Sequence, residues 1–316
     1  MLISDMNKPD HDNSPDFWIV TAPAVGACAC VVVWMAIVSR MWRGLPILAY
    51  QPRRRVPWRF VDLVAVLVFS VLVGGAVAKV GRTHFGLPEA PGVAVDTAAE
   101  PDTVHPIGRL LLEEPSVATL ALCLLTAVVV APIAEEFLFR LLLQGWLEIL
   151  ERRLRRRLPV LRKLLPGFVP VAFVAVLFAA VHFRLAEPHP STDELLFRLG
   201  VTAVISLSVM GFGVVLLRFR AGATLRDFGI VAGRLPSDVI LGLIAYVAVT
   251  PPVYFVMVLA RGLLPRDIVV DPIPLLFLAV ALGYLYYKTH RIVSAIVLHM
   301  AFNATALAIA LLSLGQ

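Results

Sequence analysis

The sequence predicts an all-α polytopic membrane protein with about eight transmembrane helices in one bundle. Three observations carry this reading. Of the 316 residues, 59% are hydrophobic, and mean hydropathy is +0.85, whereas soluble domains hold about 45–50% apolar residues. The excess is gathered into long blocks, and a run of about 18 apolar residues is enough to span a hydrocarbon core. The basic residues stand between these blocks, as at QPRRR (Gln51–Arg55) and ERRLRRR (Glu151–Arg157).

The blocks fall at approximately 18–39, 58–78, 116–134, 168–186, 200–217, 238–260, 272–287 and 292–314. The first follows MLISDMNKPDHDNSPDFW, which is acidic where a signal peptide would be basic, so this block is expected to stay as an anchor. Between the second and third lies GLPEAPGVAVDTAAEPDTVHP, an acidic, Pro-rich stretch expected to be a poorly ordered outer connector. After the third, GWLEILERRLRRRLPVLRKLLP mixes Leu with Arg. It reads equally as an amphipathic segment along the membrane surface or as a plain basic loop. In the sixth block, Thr250, Pro251 and Pro252 mark a kink. The hydroxyls of Ser206, Ser208 and Thr250 can be satisfied on their own helices. The seventh block is short and leaves little room for tilt.

The formal charge of +6 belongs to topology rather than to nucleic acid. Nineteen Lys and Arg fall in one alternating set of connections, from Arg40 to Arg291, and eight in the other, from Lys8 to Arg266. The richer set is expected on the cytoplasmic side, facing anionic headgroups. Both termini then lie outside, in a bacterial plasma membrane. The implied partner is membrane lipid, with no nucleic acid. Cys28, Cys30 and Cys123 lie in apolar blocks at spacings that build no metal framework, and are read as packing residues. His189 and His290 sit in connections and are read as solvated.

Three places set polar side chains deep in apolar sequence. In APIAEEFLFR, Glu135 and Glu136 precede Arg140. On an α-helix Glu136 and Arg140 are i,i+4 and share a face, while Glu135 is turned away by about 100°. Arg140 can therefore neutralise Glu136, leaving Glu135 on a neighbouring face, and Pro132 can open the backbone just upstream. In LFAAVHF, Phe178 lies one turn before His182 and can wall its ring. In VLHMAFNA, His299 and Asn303 are again i,i+4. Each has a plain structural reading: a helix-bracing ion pair, a histidine on a backbone carbonyl, an asparagine joining helices. Ionisable groups inside a membrane are nonetheless functional candidates, and this set can activate water, bind a metal or hold an oxyanion.

At these motifs the sequence resembles the CAAX prenyl protease type II family, also called the Abi or CPBP family of intramembrane proteases. The patterns EExxxR, FxxxH and HxxxN stand here as Glu135-Glu136 with Arg140, Phe178 with His182, and His299 with Asn303. The resemblance implies an all-helical fold enclosing the site, and peptide-bond hydrolysis with a peptide or protein substrate in the membrane as partner. It implies Glu135 as general base, His182 positioning the water, and His299 and Asn303 polarising the scissile carbonyl. Glu136 is placed in the same catalytic group, and with Arg140 braces the site. A divalent metal such as zinc, held by Glu135, His182 and His299, and a metal-free route are both compatible with these residues. By the apolar blocks and the charge pattern, residues 1–80 are expected to form an N-terminal two-helix membrane region and 81–115 an extracytoplasmic loop. By the resemblance, residues 116–316 form a protease core with an inserted two-helix segment at about 195–265, which lengthens the interval between the second and third motifs. The alternatives are a non-catalytic binding or bacteriocin-immunity-type member of the same family, and a proton-coupled transporter.

Overall fold

The computed structural model describes residues 15–52, 55–85, 106–114, 116–182, 191–263 and 272–314. The outer connector at 86–105, His189 and the end of the fourth expected span lie outside them. Among the described residues all regular structure is helical. Among these described residues seven helices are long and apolar enough to cross a membrane, and an eighth is apolar but shorter. The chain is an integral multi-pass membrane protein.

Two compact units divide the chain, residues 1–47 and 48–316. The first carries α1 (Pro15–Trp42). Cys28 on it is exposed, whereas Cys123 in the second unit is fully buried.

The second unit is built around one long helix, α4 (Val117–Arg157). The other helices are α2 (Phe60–Phe85), α3 (Pro106–Glu113), α5 (Phe168–Val181), α6 (Thr192–Arg220), α7 (Leu235–Leu263), α8 (Pro272–Thr289) and α9 (Ile292–Leu314). Helices α5, α6, α8 and α9 pack on α4; α2 lies outside α6, and α7 lies outside α8 and α9.

Starts and stops follow local chemistry. Ser116 caps α4, its Oγ accepting from Thr119 N at 3.0 Å, which satisfies a donor that the first turn leaves open. Ser191 caps α6 in the same way. Gly167 opens α5 at φ +82°, where a Cβ would fall 2.3 Å from the Tyr287 ring.

The third apolar block does not close at 134. The helix continues through the glutamate pair to Arg157, and its last stretch buries Glu148, Ile149 and Glu151 while exposing Arg152, Arg153, Arg156 and Arg157. The basic segment is thus the amphipathic end of the span itself. Pro251 and Pro252 lie inside α7, and Thr250 Oγ1 donates to Tyr246 O on the same helix at 2.7 Å.

Ion pairs tie the helix ends. Arg82 on α2 bonds both oxygens of Glu194 on α6, at 2.6 and 3.2 Å. At the other end of these helices Arg220 bonds the buried Asp62, and Arg291 bonds the buried Asp238. The DFGI connector between α6 and α7 is closed by Asp227 on Thr224. Its Gly229, at φ +73°, lies so close to the α8–α9 turn that a Cβ would be 2.8 Å from His290 O. The helices expected as an insertion therefore pack directly on the helices that carry the motifs.

Candidate active site

The glutamate segment is not a plain α-helix. Leu124–Val130 and Glu136–Gln144 are π-helical, and Ala131–Glu135 between them is α-helical. π-Helical stretches are rare and concentrate at functional sites. Glu135 ends the α-helical stretch and Glu136 opens the second π-helical one. Both reach the same imidazole.

That imidazole is His299 on α9. Its Nδ1 lies 3.0 Å from Glu136 Oε1, and its Nε2 lies 3.7 Å from Glu135 Oε2. The other oxygen of Glu135 is 3.7 Å from Nε2 of His182. His182 is the C-cap of α5, with Nδ1 2.7 Å from Phe178 O. A carbonyl only accepts, so Nδ1 carries the proton and the lone pair of a neutral ring points from Nε2 toward Glu135. Glu135 thus sits between the two imidazoles.

Exposure separates the members. Glu136 and Arg140 are completely buried, His299 nearly so, while the side chains of Glu135 and His182 are 26% and 29% exposed. The groups facing the open side are therefore Glu135 and His182. Glu136 is shared: Arg140 Nε lies 3.4 Å from its Oε2, and His299 holds Oε1. The expected pairing of Glu136 with Arg140 is present, with His299 as a second partner that α-helical spacing does not reveal.

Phe178 is the packing centre. Its ring lies 4.4 Å from that of His182 and 5.9 Å from that of His299, and Arg140 Cζ stands 5.1 Å from its centroid, within cation–π range. Phe139 packs on it edge-on at 5.2 Å. One residue thus supplies a wall, a carbonyl and a cation-binding face. Asn303 lies differently from the other motif residues: its Nδ2 donates to Ala127 O on α4 at 2.8 Å.

Among the described residues no group of three or more His, Cys, Asp or Glu is placed to hold a metal ion. Glu135, His182 and His299 as arranged do not fit a bound metal, and no step below is routed through one.

A second polar group escapes reading by motif. Glu136, Arg140, Gln144 and Glu148 recur every four residues along α4, and all are buried. Arg140 Nη2 donates to Ala279 O at 3.4 Å and Gln144 Nε2 to Gly283 O at 2.9 Å, both carbonyls on α8. Glu148 Oε2 lies 3.0 Å from His290 Nε2, and His290 Nδ1 lies 2.7 Å from Gln51 O. His290 is therefore buried and bonded, not solvated. The four-residue ladder was visible in the sequence. The burial of His290 was not, because Gln51 and Glu148 are remote from it along the chain.

Residues 117–226 and 226–305, more than half of the chain, match the family model described as type II CAAX prenyl endopeptidase Rce1-like. The chain belongs to that family of membrane proteases. No curated protein and no solved structure matches it.

Proposed function

We propose that this chain is an intramembrane endopeptidase that hydrolyses a peptide bond of a membrane-associated peptide through a water activated by Glu135. The observation that carries the reading is the position of Glu135, 3.7 Å from the Nε2 of each of two histidines on different helices. A water held between Glu135 and His182 gives one proton to each acceptor, so its lone pair is free to attack. As the water oxygen bonds the scissile carbon, Glu135 takes the proton. That proton then passes to the amide nitrogen as the C–N bond breaks. His299, its Nδ1–H held by Glu136, presents Nε2 to the reacting centre and, when protonated, donates to the oxyanion. Arg140 and Phe178 hold this assembly in place.

The family description names a prenylated substrate, so the test peptides are a membrane peptide ending in a farnesylated CAAX sequence and the same peptide without the lipid. Cleavage of either by the purified protein, lost with Glu135→Gln, supports the reading; no cleavage of either by the wild type sinks it. By the charge asymmetry we further infer that both termini lie outside and that the Arg-rich end of α4 is cytoplasmic, with a bacterial plasma membrane as the setting.

A further inference from the structure

We propose that Arg55, Arg152, Arg153 and Arg156 form a binding site for the phosphate of an anionic phospholipid, at the Arg-rich end of α4. Over Gly145–Arg157 this helix is α-helical, so Ile149, Arg152, Arg153 and Arg156 follow an i, i+3, i+4, i+7 spacing and share one face. The remaining arginine comes from the chain ahead of α2. There Val56 and Trp58 are buried against α4 at Gly145, and Trp58 Nε1 donates to Leu142 O at 3.2 Å. That anchorage sets Arg55 across from the helix face, and together these residues line one cleft. Ile149 is buried, and the four arginines are exposed.

The arginines of this region divide into those the fold uses and those it leaves open. Arg155 bonds Glu151 at 2.9 Å and Leu164 O at 2.6 Å, and Arg162 bonds the carbonyls of Arg155 and Arg156. Arg55, Arg153 and Arg156 form no ion pair among the described residues. Arg152 lies 3.7 Å from Glu148 Oε2, but that carboxylate is buried and also bonds His290 and Gln144. Four positive charges thus gather against one shared carboxylate. Like charges one turn apart on a helix repel, and an anion between them removes the repulsion. The pull of a helix C-terminus on cations and the positive-inside bias account for arginines on α4, not for Arg55 converging from another segment. The guanidinium fork matches phosphate oxygens. The level matches a headgroup: Trp146 precedes Ile149 by three residues, and Phe60, 59% exposed, packs on its ring at 5.2 Å, as aromatic side chains do at a membrane boundary. A phosphate carried on a lipid would set its acyl chains beside these rings; free phosphate offers the same oxygens without that contact. The cleft lies beyond Glu135 by about 20 Å along the helix, and the inference does not rest on the protease reading.

The test uses the full chain in neutral detergent micelles, with phosphatidylglycerol, phosphatidylcholine or inorganic phosphate added at equal concentration. Phosphatidylglycerol is expected to raise Tm by about 2–5 °C, the scale of a ligand present at roughly tenfold its Kd, and the other two to raise it far less. Arg55→Gln with Arg156→Gln removes one charge from each side of the cleft. It should weaken phosphatidylglycerol binding about 30-fold, the effect of two basic residues at an anionic surface, with Tm in the absence of lipid unchanged. Arg218→Gln with Arg234→Gln, at exposed positions in the same set of basic connections, removes equal charge elsewhere and should bind as the wild type does. Native mass spectrometry makes the same comparison as lipid retained per chain, and reads binding even where a variant is less stable. An equal shift with phosphatidylcholine, or an equal loss in the control variant, would mean diffuse attraction and overturn the site. An equal shift with inorganic phosphate would make it a free-anion site and overturn the lipid assignment.

Discussion

Two adjacent carboxylates that differ by a single position have opposite surroundings. Glu136 is fully buried between Arg140 and His299, and Glu135 is partly open between two histidines. Replacing Glu135 by Gln keeps size and shape and removes only the base. Cleavage is expected to fall by about 10²–10⁴-fold, the usual contribution of a positioned acid–base group, with Tm unchanged; a large drop in Tm would show that Glu135 is structural. Replacing Glu136 by Ala leaves the buried Arg140 guanidinium without its counter-ion, a change that costs about 3–5 kcal/mol. A denaturation series in detergent should show that loss, and an unchanged midpoint would mean that Arg140 finds another partner. The pair therefore separates chemistry from bracing, and the two variants should separate activity from stability.

At the scale of elements, α4 and the α8–α9 turn decide the site. The apolar blocks and the three motifs were legible because lipid demands long uninterrupted hydrophobic runs, and any charge inside one stands out. The π-helical stretches were not legible: i→i+5 bonding has no residue propensity of its own, and Leu124–Val130 reads as ordinary apolar helix. The sharing of His299 by both glutamates was hidden as well, because it needs the placement of α9 against α4. His290 was misread because its chain neighbours Lys288 and Arg291 suggest water, while its actual partners come from Gln51 and Glu148. The same turn yields a prediction. Gly229 combines φ +73° with a Cβ position 2.8 Å from His290 O and 2.9 Å from Ile292 N. Backbone atoms cannot step aside as a flexible side chain can, so Gly229→Ala should destabilise by about 1–3 kcal/mol, measured as a lower unfolding midpoint. Gly233, whose Cβ would meet nothing within 4 Å, is the control; equal effects at both positions would refute the close-approach argument.

At the scale of the whole molecule, the residues of the site all belong to the unit 48–316, and the family match lies entirely within it. The first unit, with α1, contributes none of them. A chain beginning at Leu48 should therefore fold and cleave as the full chain does, provided that it enters the membrane the same way round. Removing one span reverses the side on which the N-terminus must lie, so that condition is not automatic. The shortened chain would begin just before QPRRR, with Arg53, Arg54, Arg55 and Arg59 ahead of α2. Such a cluster beside a first span holds its flank in the cytoplasm, where the full chain is inferred to have it. The expected outcome is unchanged orientation of α4, checked by labelling a cysteine introduced at Arg153 in a Cys28, Cys30 and Cys123 to Ser background. Labelling from the cytoplasmic side in both chains, with cleavage and Tm retained, would establish α1 as dispensable for the site. An inverted label would show that α1 sets the topology, and lost Tm with the correct label would show that α1 contributes to the fold of the second unit.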